Sequence, residues 1–413
     1  MNEQEFDQML AKYADVTVKI GLNLRKGQCL SIGGILEDAP FIRKVVESAY
    51  QAGAKFVDVL WSDEKTNRLY YEHANSENIE YVPDWLLSRY EEYSSKGEAE
   101  LMIASSDPNL LDGINAELIA RNRKARAQKL VEPLRKYEGL TNWCVVATAT
   151  PFWAKKVFPD LPLQEAQNKL WEAIFNSCRI DVPDPISAWE EHIHKLIKYK
   201  DYLNAKRYAS LHYKGPGTDL TVGLPEKQVW LGARETFKNG ISCTPNLPTE
   251  EVFTAPHKDK VNGVVTATRP LNLSGVLIDD FSLTFENGRA VKVMAKKGEE
   301  YLQKLIETDE NACRLGEIAL VPNSSPISQR GHLFYNTLYD ENASCHIALG
   351  DAFRMSMQGG EDMTEEEFAA NGGNKSLIHV DFMIGSGQLD VDGICEDGSR
   401  EAIMRGGEWT FEV

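Results

Sequence analysis

The segment Asn142–Thr150 reads NWCVVATAT, a nearly unbroken run of small and apolar residues. Such a run suits a strand covered on both faces, the condition met in a parallel sheet flanked by helices. Upstream, the apolar spacing switches back and forth between two periods. Glu3–Ala14 carries a helical stripe, Gln28–Gly34 (QCLSIGG) reads as a short strand, Pro40–Ala52 as a helix and Lys55–Trp61 (KFVDVLW) as a β-rich strand. The rhythm continues with a helix at Pro83–Tyr93, a strand at Ala99–Ser106 and a helix at Asn115–Leu130, and helices at Pro162–Ser177 and Ile186–Leu203 close this half. Strands alternating with helices imply a three-layer α/β domain with a mostly parallel sheet over residues 1–205.

From residue 206 onward the texture changes. Short strands are separated by turn signals: KGPGTDL at Lys214–Leu220, FENGRA at Phe285–Ala290, GSGQLDVDG at Gly385–Gly393 and CEDGSRE at Cys395–Glu401. Helical spacing returns at Gly298–Thr308 and Thr364–Ala370. Residues 206–413 therefore read as a second, β-rich α+β domain.

The chain has 413 residues, enough for two or three cores, with 42% hydrophobic and 26% charged residues. Forty-five Lys plus Arg against sixty-two Asp plus Glu leave a net charge of -17. A field of that sign repels nucleic-acid backbones and anionic lipid and favours cations. The seven cysteines are scattered and never spaced C-x-x-C, so neither a disulfide framework nor a zinc knuckle is expected. The first residues carry acids where a secretory leader carries bases, and no apolar run approaches the ~18 residues of a membrane span. A cytoplasmic location is the expectation. There is no phosphate loop, no dinucleotide-binding glycine turn, no nucleophile elbow and no H-E-x-x-H helix.

Four segments place ionisable residues where a core pattern begins. In Leu377–Ser386 (LIHVDFMIGS), strand alternation puts His379, Asp381 and Met383 on one side and Val380 and Phe382 on the other. A histidine and a carboxylate two apart on an apolar strand suit one divalent ion. Leu338–Gly350 (LYDENASCHIALG) brings Glu341 and His346 together if the chain turns between them. In Arg314–Asn323 (RLGEIALVPN), Glu317 stands at the mouth of an apolar strand, and in Asn246–His257 (NLPTEEVFTAPH) the adjacent Glu250 and Glu251 face opposite ways if extended. Taken singly, each segment also reads as a wet strand face or a polar loop.

In this order and at these separations, the four segments resemble the aminopeptidase T / AmpS / PepS family of metallopeptidases. The likeness covers essentially the whole chain. It implies an α/β first domain and a β-rich catalytic second domain holding two divalent ions, zinc, cobalt or magnesium. The ligands it implies are Glu251, Glu317, Glu341, His346, His379 and Asp381. One carboxylate must also move a proton to the leaving amine: Glu317 is the candidate for bridging ligand or base, and Glu250 is a second candidate base. The likeness further implies a cytoplasmic homodimer with its sites in an interior cavity, acting on short peptides and having no nucleic-acid or membrane partner. One position departs from the family pattern: Phe353 stands where a tyrosine is expected. A two-metal hydrolase of another amide or of a phosphoester, and a metal- or peptide-binding protein without turnover, are the alternatives.

The remaining histidines and charge runs read as surface. His192 and His194 lie about 200° apart around a helix and cannot face one ion, and His73, His212 and His257 lack comparable context. The basic run Arg121–Lys129 and the acidic run Glu361–Glu367 read as solvated helix faces.

Overall fold

The parallel sheet expected in the first half is present, in a computed structural model that describes residues 2–137, 139–273 and 276–412. Its four strands, Cys29–Ile35, Phe56–Ser62, Ala99–Ile103 and Trp143–Val146, lie in the order 2-1-3-4. Ile32, Leu101 and Cys144 sit in register-linked positions across it and are fully buried. Helices Ala39–Gln51, Asp84–Ser94 and Ala116–Arg126 form the crossovers. Tyr13 of the first helix stacks on Phe41 of the second with ring centroids 4.7 Å apart.

The strand read over Asn142–Thr150 is shorter than expected, ending at Val146. The next amides leave the ladder for side chains: Ala147 N–H donates to the Tyr13 hydroxyl and Thr148 N–H to Ser105 Oγ. Pro151 then opens a helix, Pro151–Val157, that apolar spacing did not reveal. Along the same strand Val145 N–H donates to Pro245 O and Leu247 N–H to Val145 O. Residues 234–248 thereby join the first compact unit, which comprises 1–191 and 234–248.

The second unit comprises 192–233 and 249–413. This division differs from the single crossing expected at 205/206. The reason lies in the helix Pro185–Lys206, whose final turns pack with the second unit. Asn204 exchanges two hydrogen bonds with the main chain of Trp230, and Tyr199 stacks on Trp409 at 4.3 Å. A nine-stranded antiparallel sheet and a separate four-stranded sheet make up this unit. The helices expected at Gly298–Thr308 and Thr364–Ala370 are Glu299–Ile306 and Glu365–Ala370, the latter opened by a Thr364–Glu367 capping box.

Candidate metal centre

All four ionisable segments converge on the smaller sheet of the second unit. Its strands, in spatial order, are His379–Met383, His346–Gly350, Leu315–Leu320 and Val252–Thr254, antiparallel throughout. Directly paired residues of neighbouring strands point to the same side. The register pairs Phe253 with Ala319, Ala319 with His346, Glu317 with Ala348, Ala348 with Asp381, and Gly350 with His379. One face therefore presents Glu317, His346, His379 and Asp381 separated by Ala319, Ala348 and Gly350. The smallest side chains lie between the polar ones and leave room above the sheet. On the opposite face Phe382 packs on Phe281, with ring centroids 5.3 Å apart.

Glu317 is reached by regular alternation from Ala319, and a bulge immediately precedes it. Ile318 and Ala319 pair in regular register with Ile347 and His346, and Glu317 with Ala348, but Leu315 pairs with Leu349, one step out of phase. Without the extra residue Leu315 and Glu317 would share a side. At Gly316 a Cβ would fall 2.1 Å from the carbonyl oxygen of Asp351, so the bulge is built around a bare backbone.

Among the described residues, two groups of candidate donor atoms result, Glu251, Glu317 and His346, and Glu317, His379 and Asp381, each with its atoms within 4.8 Å of one another. His346 Nε2 lies 3.2 Å from Glu251 Oε2 and 3.5 Å from Glu317 Oε1. His379 Nε2 lies 3.5 Å from Glu317 Oε2 and 3.5 Å from Asp381 Oδ1. Glu317 thus belongs to both groups, through a different oxygen in each. Glu341 belongs to neither, but it stands in the same field.

The imidazoles are oriented for a cation. His346 Nδ1 contacts Ser344 O at 3.1 Å and His379 Nδ1 contacts Asp351 O at 2.7 Å. A carbonyl only accepts, so each Nδ1 carries the hydrogen, and the neutral ring turns its Nε2 lone pair toward the carboxylates. Lone pairs facing anions repel unless a positive charge lies between them. Glu251 Oε2, buried, accepts no hydrogen bond. A divalent metal therefore fits these residues.

The titration behaviour of the protein alone expresses the same demand. Burial pushes the Glu251 carboxyl up, and only the His346 contact opposes it. Glu341 is driven well above the usual range by burial and then by the charges of Glu251 and Asp381. Burial would also raise Glu317, but hydrogen bonds with His346 and His379 outweigh it and hold the group at about 2. Burial would lower His379, yet Asp381 and Glu317 hold it up at about 11, and His346 is likewise raised well above its ordinary value. In the absence of metal, protons on the imidazoles stand in for the missing positive charge.

The turn carrying Glu250 and Glu251 resolves their ambiguity. Glu251 enters the first donor group, while Glu250, also buried, lies with Oε2 3.6 Å from His192 Nε2. His192 corrects the surface expectation: it is half-buried and its Nε2 contacts Thr249 O at 2.8 Å. Its neighbours Trp189, Ile193 and Leu196 form the buried stripe of the helix, and His192, three residues from Trp189 and four from Leu196, lies at the edge of that stripe, a signal readable in the sequence. His194, on the opposite side, is exposed as expected. Asn342 was missed entirely. Fully buried, it accepts from Glu250 N–H at 2.7 Å, donates to Leu338 O at 3.0 Å, and its carbonyl accepts from Ser325 Oγ.

A largely buried carboxylate–imidazole cluster on a sheet face, with donor atoms within 4.8 Å of one another, is the class of site that holds a divalent metal. Residues 6–409 match the family model described as Thermophilic metalloprotease (M29), and the chain belongs to that family. It is 46% identical over 408 residues to Aminopeptidase AmpS of Bacillus subtilis, covering 98% of this chain and 99% of that protein. It is also 46% identical over 405 residues to Aminopeptidase T of Thermus thermophilus, with 98% and 99% covered. The solved structure of wild-type AmpT from Thermus thermophilus superposes with a TM-score of 0.92 at 45% identity, covering 98% of this chain and 100% of that one.

Proposed function

We propose that this chain is a metal-dependent aminopeptidase that releases N-terminal residues from short peptides, using two divalent ions held on the face of the small sheet. Membership of a metalloprotease family and relatives named as aminopeptidases support the peptide-hydrolase reading. The observation that carries the two-ion reading is Glu317, whose Oε1 faces His346 and whose Oε2 faces His379. One carboxylate offering its two oxygens to two donor groups suits a bridging ligand. We assign Glu251, Glu317, Glu341, His346, His379 and Asp381 as the ligand set. Its four carboxylates and two neutral imidazoles balance the charge of two dications.

Divalent ions held by these residues would lower the pKa of a coordinated water and polarise the scissile carbonyl. The placement of Glu317 Oε1 toward His346 and Oε2 toward His379 favours the bridging role for Glu317 and leaves proton transfer to Glu250, buried one residue from Glu251 and beside His192. Oxygen and imidazole donors without thiolate suit zinc, cobalt or magnesium. We further propose a cytoplasmic homodimer, on the family resemblance.

The test is hydrolysis of Leu-p-nitroanilide and short peptides by metal-reconstituted protein, beside Glu317→Gln, Glu250→Gln and His379→Ala. Chelator-sensitive cleavage absent from N-acetylated substrates is expected, with each variant at least ~100-fold slower. Equal hydrolysis of blocked peptides, or activity only on phosphoesters, would defeat the reading. Light scattering of the purified protein reads the dimer.

A further inference from the structure

Beside the donor groups, the second unit exposes aromatic surface. Phe253 lies on the same side of its strand as the metal face, paired with Ala319, whose small side chain leaves room for the ring. Val252 and Thr254, its neighbours, are buried on the other side. Phe353 meets the Phe253 ring edge-on, with centroids 6.2 Å apart, and packs against the His379 imidazole at 4.9 Å. Its ring nevertheless remains 47% exposed. Leu377, two residues before His379, is 83% exposed, and Met355, two residues after Phe353, is 37% exposed.

Holding a phenyl ring in water beside a charged centre is unfavourable unless something apolar covers it at some stage. The 4.9 Å contact sets this ring directly against the His379 side of the centre. We propose that Phe353, backed by Phe253, is a specificity-determining wall that receives the apolar side chain of the substrate's N-terminal residue. The preferred substrates are then peptides beginning with Leu, Phe or Met rather than Gly or Asp. The polar face orients the reacting amide, while the rings select the side chain attached to it. This inference rests on the aminopeptidase reading and deepens it.

The experiment compares Leu-, Phe- and Gly-p-nitroanilides with metal-loaded wild-type protein, Phe353→Ala and Phe353→Leu. Calorimetric binding of free leucine and glycine is measured alongside, with metal content and solution mass determined for each protein. Phe353→Ala is expected to cut the Leu-to-Gly ratio of kcat/KM by ~10-fold, chiefly through KM, and to weaken leucine binding in parallel. Phe353→Leu, still apolar, should recover most of the ratio. An unchanged ratio, or equal losses on all three substrates, would overturn the wall while leaving the aminopeptidase reading intact. So would a changed solution mass with unchanged selectivity, since the rings would then belong to an interface between copies. Failure of wild-type protein to cleave any unblocked substrate would overturn both.

Discussion

The main-chain N–H of Glu250 donates to Asn342 Oδ1 at 2.7 Å, joining the turn that carries Glu251 to the short helix that carries Glu341. Asn342 is completely buried, and its Nδ2 is already committed to Leu338 O. Replacing it with alanine strands a donor and an acceptor in the interior, a cost of roughly 2 kcal/mol. Because two ligand-bearing segments lose their tie, metal affinity should also fall, by ~10-fold or more. Thermal melts of the metal-free protein and metal titrations separate the two effects. A melting shift with unchanged affinity would make Asn342 structural only.

Gly316 permits the bulge that immediately precedes Glu317 and turns Leu315 to the other side of the sheet. A Cβ there would meet Asp351 O at 2.1 Å, and that same oxygen holds His379 Nδ1. Gly316→Ala should thus disturb both donor groups at once, with an overpacking cost of ~1–3 kcal/mol and reduced occupancy of both ions. Metal content after gel filtration checks this. Two tightly bound ions in the variant would refute it.

Metal should stabilise the second unit as well as activate it, because ions relieve the repulsion among Glu251, Glu317, Glu341 and Asp381. At a free-ion concentration about a thousandfold above Kd the gain is roughly 4 kcal/mol. EDTA is expected to lower the melting temperature, and zinc, cobalt or magnesium to restore it. Melting that is indifferent to chelator and ion would remove the coupling.

Metal binding should release protons. His379, held at about 11, keeps its proton at neutral pH in the metal-free protein, and neighbouring carboxylates push His346 and Glu341 upward as well. A raised histidine pKa stabilises the metal-free fold fully below the unfolded value, and this contribution fades as pH rises through the folded one. The ion competes for the same nitrogens, so affinity must rise with pH through the neutral range. Titration calorimetry in two buffers of different ionisation heat reads the number released. Zero release, or uptake, would contradict the assignment of the imidazoles.

Much of this was legible in the chain because it rests on local periodicity. The period-2 pattern alone places His379 and Asp381 on one side, and the alternation of strand and helix up to Val146 announces the parallel sheet, since both depend only on backbone geometry over a few residues. Three features needed the tertiary structure. Leu315 turns away from the side that carries Glu317 because a bulge at Gly316 reverses the phase between them, which no alternation rule reads. Glu251 rather than Glu250 enters the donor group because Asn342, 92 residues from Glu250, fixes the turn between them. The strand at Trp143–Val146 stops short because Tyr13 and Ser105 capture the next two amides. Pattern names the residues able to carry the chemistry; long-range hydrogen bonds decide which of them meet.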